Sequence, residues 1–327
     1  MDKETYLLLV LSDSNLPTGS FVASAGLEST ATHALFHATP PTTGSAATAT
    51  GTTGTGSNTD TSTGTGPTGI SSSTSSSSIL AFLRNSIDTY ARSALPFARD
   101  AHRITTAYAK NDIADLDVAL AALAKIDALY DACTLNHVAR RASCAQGVAL
   151  LSLYARGFTC PPFLLSTGTT IPQGVDSEQE QERDRESRAS ALVAALKLRV
   201  RRGAGGESDD DALGHLPVCW GVLAGALGLS VDRGAHLHLF LHARGVLSAA
   251  VRMNILGPYA AQQLLLHAVK PLLTEALSST AHLVSGALRE EEVHLEFEAE
   301  RLPATTWPLG EILSMRHDLL HSRIFNS

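Results

Sequence analysis

Apolar residues recur along most of this chain at the three-to-four-residue spacing of a helix face. Ile79, Phe82, Leu83 and Ile87 fall on one such face and predict a helix over 79–95. Pro96 should kink or restart it, with a continuation over 97–110. Asn111 or Asp112 is placed to cap the next helix, whose face is Leu116, Leu120, Leu123, Ile126 and Tyr130. Further helices are predicted over 135–154, over 191–200, and from Pro217 to Gly228. From Val231 the chain is apolar nearly all round, through Leu237, Leu239, Phe240, Leu241, Val246, Leu247 and Val251. That pattern belongs to a helix central in a bundle. Gly257-Pro258 should break it; 260–269 resumes, Pro271 interrupts, and 272–288 follows. Strand alternation is almost absent. The pattern predicts an all-α fold, one helical-bundle domain spanning 1–327 with roughly eight to ten helices.

Three polar stretches break the pattern. Residues 39–78 are almost entirely Thr, Ser, Gly and Ala, and predict a disordered insertion. A second polar loop is expected over 166–190 and an acidic loop over 203–211. Gly64-Thr65-Gly66-Pro67-Thr68-Gly69 matches a dinucleotide fingerprint formally, but no strand precedes it and no helix follows directly.

Composition agrees with helices. Hydrophobic residues are 44% of the 327, while aromatics, which favour sheets, are 5%. The net charge of −7 and the lack of a basic patch argue against nucleic acid as a partner. No apolar run is long enough to span a bilayer. Cys133, Cys144, Cys160 and Cys219 form no C-x-x-C pair. With no signal-peptide pattern at Met1-Asp2-Lys3-Glu4, this predicts reduced thiols and a cytoplasmic location.

Candidate chemistry is sparse. The chain lacks a phosphate-binding P-loop, a G-x-S-x-G elbow and H-E-x-x-H. The turn Leu16-Pro17-Thr18-Gly19-Ser20 could carry a nucleophile at Ser20, but Ser at a helix start is a preferred cap. His238 and His242, like His33 and His37 or His317 and His321, lie at i, i+4. Such pairs can chelate a metal; structural or solvated histidine is the commoner role. Arg244 and Arg252 interrupt an apolar helix. Each needs an acidic or carbonyl partner, a snorkelling path, or a surface covered by another protein. At the end, Leu309, Ile312, Met315 and Leu319 form one helix face, broadened by Leu313, Leu320 and Ile324, with Arg316 and Arg323 as positive heads. Residues 305–327 therefore read as an amphipathic segment able to fold back or to dock on a partner. The acidic stretch 290–301 before it should be solvated, which favours docking.

Five ordered blocks resemble a known family. They are Leu16-Pro17-Thr18-Gly19-Ser20-Phe21 with Gly26-Leu27-Glu28; Leu95-Pro96-Phe97 with Asp100-Ala101-His102; and Arg140-Arg141-Ala142-Ser143 with Gln146-Gly147. The last two are Ala249-Ala250-Val251-Arg252 with Gly257-Pro258-Tyr259 and Gln262, then Met315-Arg316-His317-Asp318 with Ser322-Arg323-Ile324-Phe325-Asn326-Ser327. Together they resemble the urease accessory protein UreF family. The resemblance implies an all-α homodimer without enzymatic activity. Such a protein bridges a UreD/UreH scaffold protein and the UreG GTPase, and the complex engages apo-urease. No cofactor is expected to be bound stably, because nickel is handled by the complex. The alternative is an independent nickel metallochaperone using its His pairs, His238 and His242 first.

Carried over by position, Arg323 and Phe325 fall in a C-terminal Arg-aromatic motif that orders on the scaffold partner, and Arg316 and His317 belong to the same segment. Glu28, Arg252 and Gln262 match signature positions near the core and interface. Pro258 stands where bacterial members commonly have Gln, Ala261 where they have Gly, and Ser20-Phe21-Val22 replaces Gly-Phe-Ser. With the Ser/Thr-rich insertion, these departures point to a eukaryotic, fungal-like branch.

Overall fold

A computed structural model describes residues 1–18, 20–33, 72–159, 177–203, 212–288 and 299–327. The described residues are helical, with no strand among them. The helices are α1 (Lys3–Leu11), α2 (Leu27–Thr32), α3 (Ser72–Ala109), α4 (Leu116–Cys133), α5 (His137–Leu153) and α6 (Ser177–Gly203). They continue as α7 (Leu216–Ala226), α8 (Val231–Arg252), α9 (Pro258–Gln263), α10 (Lys270–Ser279) and α11 (Pro308–Met315).

α3 is the spine. Its C-terminal half contributes Ala94, Phe97, Ala98 and Ala101 to a core shared with α4, α5, α6 and α7. Its N-terminal half contributes Ile79, Phe82, Leu83 and Ile87 to a second core with α2, α8, α10 and Phe325. Pro96 neither ends nor restarts this helix, which runs unbroken from Ser72 to Ala109. A mid-helix proline costs about 3 kcal/mol. Here Leu95 and Phe97 on either side of it are fully buried, and their burial opposes that cost.

Several boundaries differ from those expected. α3 begins inside the expected Ser/Thr-rich insertion, of which 39–71 lies outside the described residues. Asn111 has left-handed backbone (φ 68°), and the cap of α4 is Asp115, whose carboxylate accepts the Asp117 N–H at 2.8 Å. The expected polar loop at 166–190 is helical from Ser177 onward, the first turns of α6. Its charges explain this. Arg188 donates to the carbonyls of Tyr108 and Ile113, each at 2.8 Å, and stacks 4.2 Å from the Tyr108 ring. Glu182 and Glu186 both meet Lys3 of α1, and Glu182 also meets Arg185. A polar helix held by side-chain partners carries no apolar periodicity to detect. Residues 166–176 and 204–211 lie outside the described set, as do the formal dinucleotide match, 289–298, Gly19, His37 and Cys160.

α8 buries Leu237, Leu239, Val246 and Leu247 but exposes Asp232, Arg233 and His236, so its first turns are wet. α9 passes through a π-helical stretch, Leu264–Val269, straight into α10, where Pro271 sits in the first turn without interrupting the run. α10 stops at Ser279 rather than near 288. The following backbone is taken by α3: Arg99 donates to the Thr280 carbonyl, and Asp100 accepts the Ser285 N–H at 2.8 Å.

α3 and α7 approach closely through glycine. A Cβ at Gly221 would lie 2.2 Å from the Ala98 carbonyl oxygen, and one at Gly225 3.0 Å from that of His102. Overpacking at such a contact costs about 1–3 kcal/mol. Gly221→Ala is therefore expected to destabilise by about 2–3 kcal/mol in urea unfolding; an unchanged midpoint would show the helices free to separate.

Candidate functional site

The two motifs at opposite ends of the sequence meet. Gly26, with φ +81°, precedes α2, and a Cβ there would strike the Ser314 side chain of α11 at 2.9 Å. Ser29 Oγ donates to the Leu313 carbonyl at 2.5 Å, which seats α11 on α2. Glu28, only 5% exposed, sits beneath this contact. Its Oε1 accepts the Ile324 N–H at 2.6 Å. Its Oε2 accepts the Phe325 N–H and His317 Nε2, both at 3.1 Å. Since the carboxylate can only accept, the Nε2 carries the proton.

The last residues lie along the N-terminal motif. Asn326 N–H donates to the Val22 carbonyl at 2.8 Å. The Ser327 carbonyl accepts the Ser24 N–H at 2.7 Å and the Ser24 hydroxyl at 2.9 Å. Arg252, from the end of α8, closes the arrangement. Its guanidinium donates to the Phe21 carbonyl and lies between the rings of Phe21, at 3.6 Å, and Phe325, at 4.4 Å. The turn that could have held a nucleophile is thus half of a clasp on the C-terminal segment.

Asp318 ties the outer side. Arg141 Nη1 and Nη2 grip its two oxygens at 3.0 and 2.9 Å, Arg323 reaches Oδ1 at 3.0 Å, and His137 lies 3.2 Å from Oδ2. Hydrogen bonding from Arg141, above all, holds this carboxyl well below the usual carboxylate range. Arg141 also donates to the Asn326 carbonyl at 3.2 Å. Arg141, Asp318 and Phe21 were visible only as members of sequence blocks, with nothing in their spacing to mark them as partners.

Of the expected site residues, Glu28, Arg252, His317, Arg323 and Phe325 come together here. Arg316 is exposed at the end of α11, and Gln262 is exposed on α9, apart from the clasp. The apolar face of the tail divides. Leu313, Leu320 and Phe325 point inward, while Leu309, Ile312, Met315 and Leu319 are exposed, Ile312 by 58% and Leu319 by 75%. Arg244, the other intrusive arginine of α8, donates to the Ser12 carbonyl, so both find backbone oxygen rather than carboxylate.

His238 and His242 are packed among aromatic rings. His238 Nε2 lies 3.0 Å from the Tyr90 hydroxyl and its ring stacks on Trp220; His242 Nε2 lies 2.9 Å from Ser86 Oγ and its ring stacks on Tyr90. Burial drives their pKa values down, to about 3 and about 4. A further group passed unnoticed in the sequence: Cys144 Sγ is 3.5 Å from His215 Nδ1, and His215 Nε2 is 3.1 Å from Asp131. Burial pushes the Cys144 thiol up to about 11, so it stays protonated at neutral pH and is a poor nucleophile. Asp127 accepts the N–H groups of Leu213, Gly214 and His215 alongside, giving this cluster a loop-holding role.

These features define a helical protein organised around an anchored C-terminal segment. The UreF family model matches residues 73–269. The chain is 39% identical over 342 aligned positions to urease accessory protein 6 of Cryptococcus neoformans, covering 99% of this chain and 98% of that one. It is 37% identical over 116 residues to a UreF-like urease accessory protein of Schizosaccharomyces pombe, covering 36% of this chain and 43% of that one. It is 25% identical over 203 residues to urease accessory protein F of Arabidopsis thaliana, covering 62% and 63%. The chain belongs to the UreF family of urease accessory proteins. Its role is in urease maturation, as an accessory factor rather than the catalyst.

Two outcomes follow from the geometry. Glu28→Gln places an amide N–H₂ against at least one of three donors, at a cost of about 1–3 kcal/mol. The amides of Ile324 and Phe325 should then lose hydrogen-exchange protection while α3 keeps its own; unchanged protection would show that the carboxylate does not hold the tail. The second concerns pH. The folded pKa values of His238 and His242 lie below the unfolded value near 6.5, so the unfolded chain gains protons first as pH falls. Their contribution is complete above about pH 6.5 and is lost progressively toward about pH 4 for His242 and about pH 3 for His238. Urea unfolding should show about 2–4 kcal/mol less stability at pH 5 than at pH 7. His242→Asn, which keeps a partner for Ser86, should flatten that slope, and an equally steep slope would place the effect elsewhere. Asp318 acts only below about pH 4, since its folded pKa is depressed from the ordinary carboxylate value.

Proposed function

We propose that this chain bridges a scaffold accessory protein of the UreD/UreH type and a UreG-type GTPase, and presents them to apo-urease for GTP-coupled nickel delivery. It acts as a cytoplasmic homodimer without chemistry of its own. Nickel is cargo of the whole complex and needs no stable site on this chain. The observation that carries the reading is the outward apolar stripe of α11 and the 3-10 turn that follows it, Leu309, Ile312, Met315 and Leu319, beside the positive head of Arg316. A stripe of this kind on a helix that is anchored on its other face suits helix or groove docking by a partner protein. The anchoring means that little chain entropy is lost on binding. A second exposed set, Tyr259 (86%), Gln262 and Leu266, lies at i, i+3, i+7 on α9 and the π-helical stretch, and is the proposed self-association surface. A metallochaperone reading on His238 and His242 would have to displace the Tyr90 and Ser86 hydroxyls from a packed aromatic layer.

Deleting the whole tail would strip Glu28 of its partners, so surface substitutions are the cleaner test. The double variant Ile312→Asp/Leu319→Asp is expected to lose co-purification with the scaffold protein at a melting temperature within about 2 °C of the parent. Tyr259→Asp should instead lower the oligomer mass in light scattering and retain scaffold capture. Undiminished capture by the double variant would contradict the docking assignment.

A further inference from the structure

Between α3, α8 and α10, away from the clasp, lies a cleft of about 410 Å³. Arg99, 6% exposed, forms its floor. One of its nitrogens donates to the Thr280 carbonyl. Among the described ion pairs none joins Arg99 to a carboxylate, because the neighbouring Asp100 is turned to Arg103 Nη1 and to the Ser285 N–H, each at 2.8 Å. The Arg99 side chain lines the cleft. A buried guanidinium satisfied only by one backbone carbonyl is costly unless an anion answers it. Burial first, then the charge of Arg103, pushes its pKa below the ordinary arginine value, while Asp232 opposes them.

The rim adds Arg103 and His236, both exposed and both donors, with the positive N-terminal end of the 22-residue helix α8 at Val231. Among the described residues Asp232 is the one acidic side chain lining the cleft. The far wall is apolar, formed by Val231 and Leu277. The volume exceeds that of a bare oxyanion and fits a small organic body beside one. We propose that this cleft binds a phosphorylated small molecule, its phosphoryl oxygens on Arg99 and Arg103 and its organic part against Val231 and Leu277. This site is separate from the partner surfaces above and stands or falls without them. Arg fits the role because its planar fork presents paired N–H groups to phosphoryl oxygens.

The test is titration calorimetry of the full chain with inorganic phosphate and with phenyl phosphate, at ionic strength matched with chloride. Phenyl phosphate should bind more tightly than inorganic phosphate, which distinguishes an organic ligand from the free anion. Arg103→Ala removes an exposed donor and should weaken phenyl phosphate about tenfold. Asp232→Asn removes the repelling carboxylate and should tighten it about threefold. Asp232 is exposed, whereas Arg103 also pairs with buried Asp100, so Arg103→Ala and Arg99→Met are read at a melting temperature matched to the parent. Equal binding of the two probes would overturn the assignment to a phosphorylated molecule. Binding unmoved by Arg103→Ala, or absent altogether, would overturn the site.

Discussion

A carboxylate shut away from water must be met by hydrogen-bond donors, and Glu28 is met by three that all come from the last eleven residues of the chain: His317, Ile324 and Phe325. Leaving any one of them unanswered would cost about 1–3 kcal/mol, so the carboxylate and the tail specify each other. Everything around the clasp follows from this. Gly26 has to be glycine-like in backbone and bare of a Cβ for α11 to sit on α2. Arg252 packs on the rings of Phe21 and Phe325, and Phe325 is held to Glu28 by its own N–H. Arg141 reaches Asp318 and Asn326 from α5, which ties the first hydrophobic core to the clasp. A segment that could have hung loose is part of the folded body.

Fixing one face of α11 also decides what the other face does. With Leu313 and Phe325 turned in, Leu309, Ile312 and Leu319 are left outward with no covering element among the described residues. An isolated amphipathic tail would have to pay ordering entropy on docking; this one is already ordered. The same logic separates the clasp from the histidine layer of α8. His238 and His242 answer hydroxyls and aromatic faces, and their buried neutral rings act on stability.

The helices with apolar faces were legible in the sequence, because periodicity reports burial: Leu120, Leu123 and Ile126 of α4 are all core residues. What periodicity could not report was a helix held by charge. The first turns of α6 carry few apolar residues and depend on Arg188, Arg185 and Lys3, whose partners are more than 70 residues away for Arg188 and about 180 for Lys3. Pro96 misled for the opposite reason, since a local helix breaker was overridden by the packing of its neighbours. The clasp was half legible. Glu28, Arg252, His317, Arg323 and Phe325 stood out from the family resemblance, but their meeting, some 290 residues apart for Glu28 and His317, is a tertiary fact. Arg141 and Asp318 had no local signal, because an ion pair between distant surface positions leaves no spacing pattern.

The central claim is that Glu28 and the C-terminal segment are energetically coupled, and a double-mutant cycle measures that directly. Glu28→Gln, His317→Gln and the double variant would be compared by urea unfolding. The clasp predicts a coupling of about 1–3 kcal/mol, the double variant being less destabilised than the two single losses added together. Additivity within about 0.5 kcal/mol would contradict it, because independent sites add in that way.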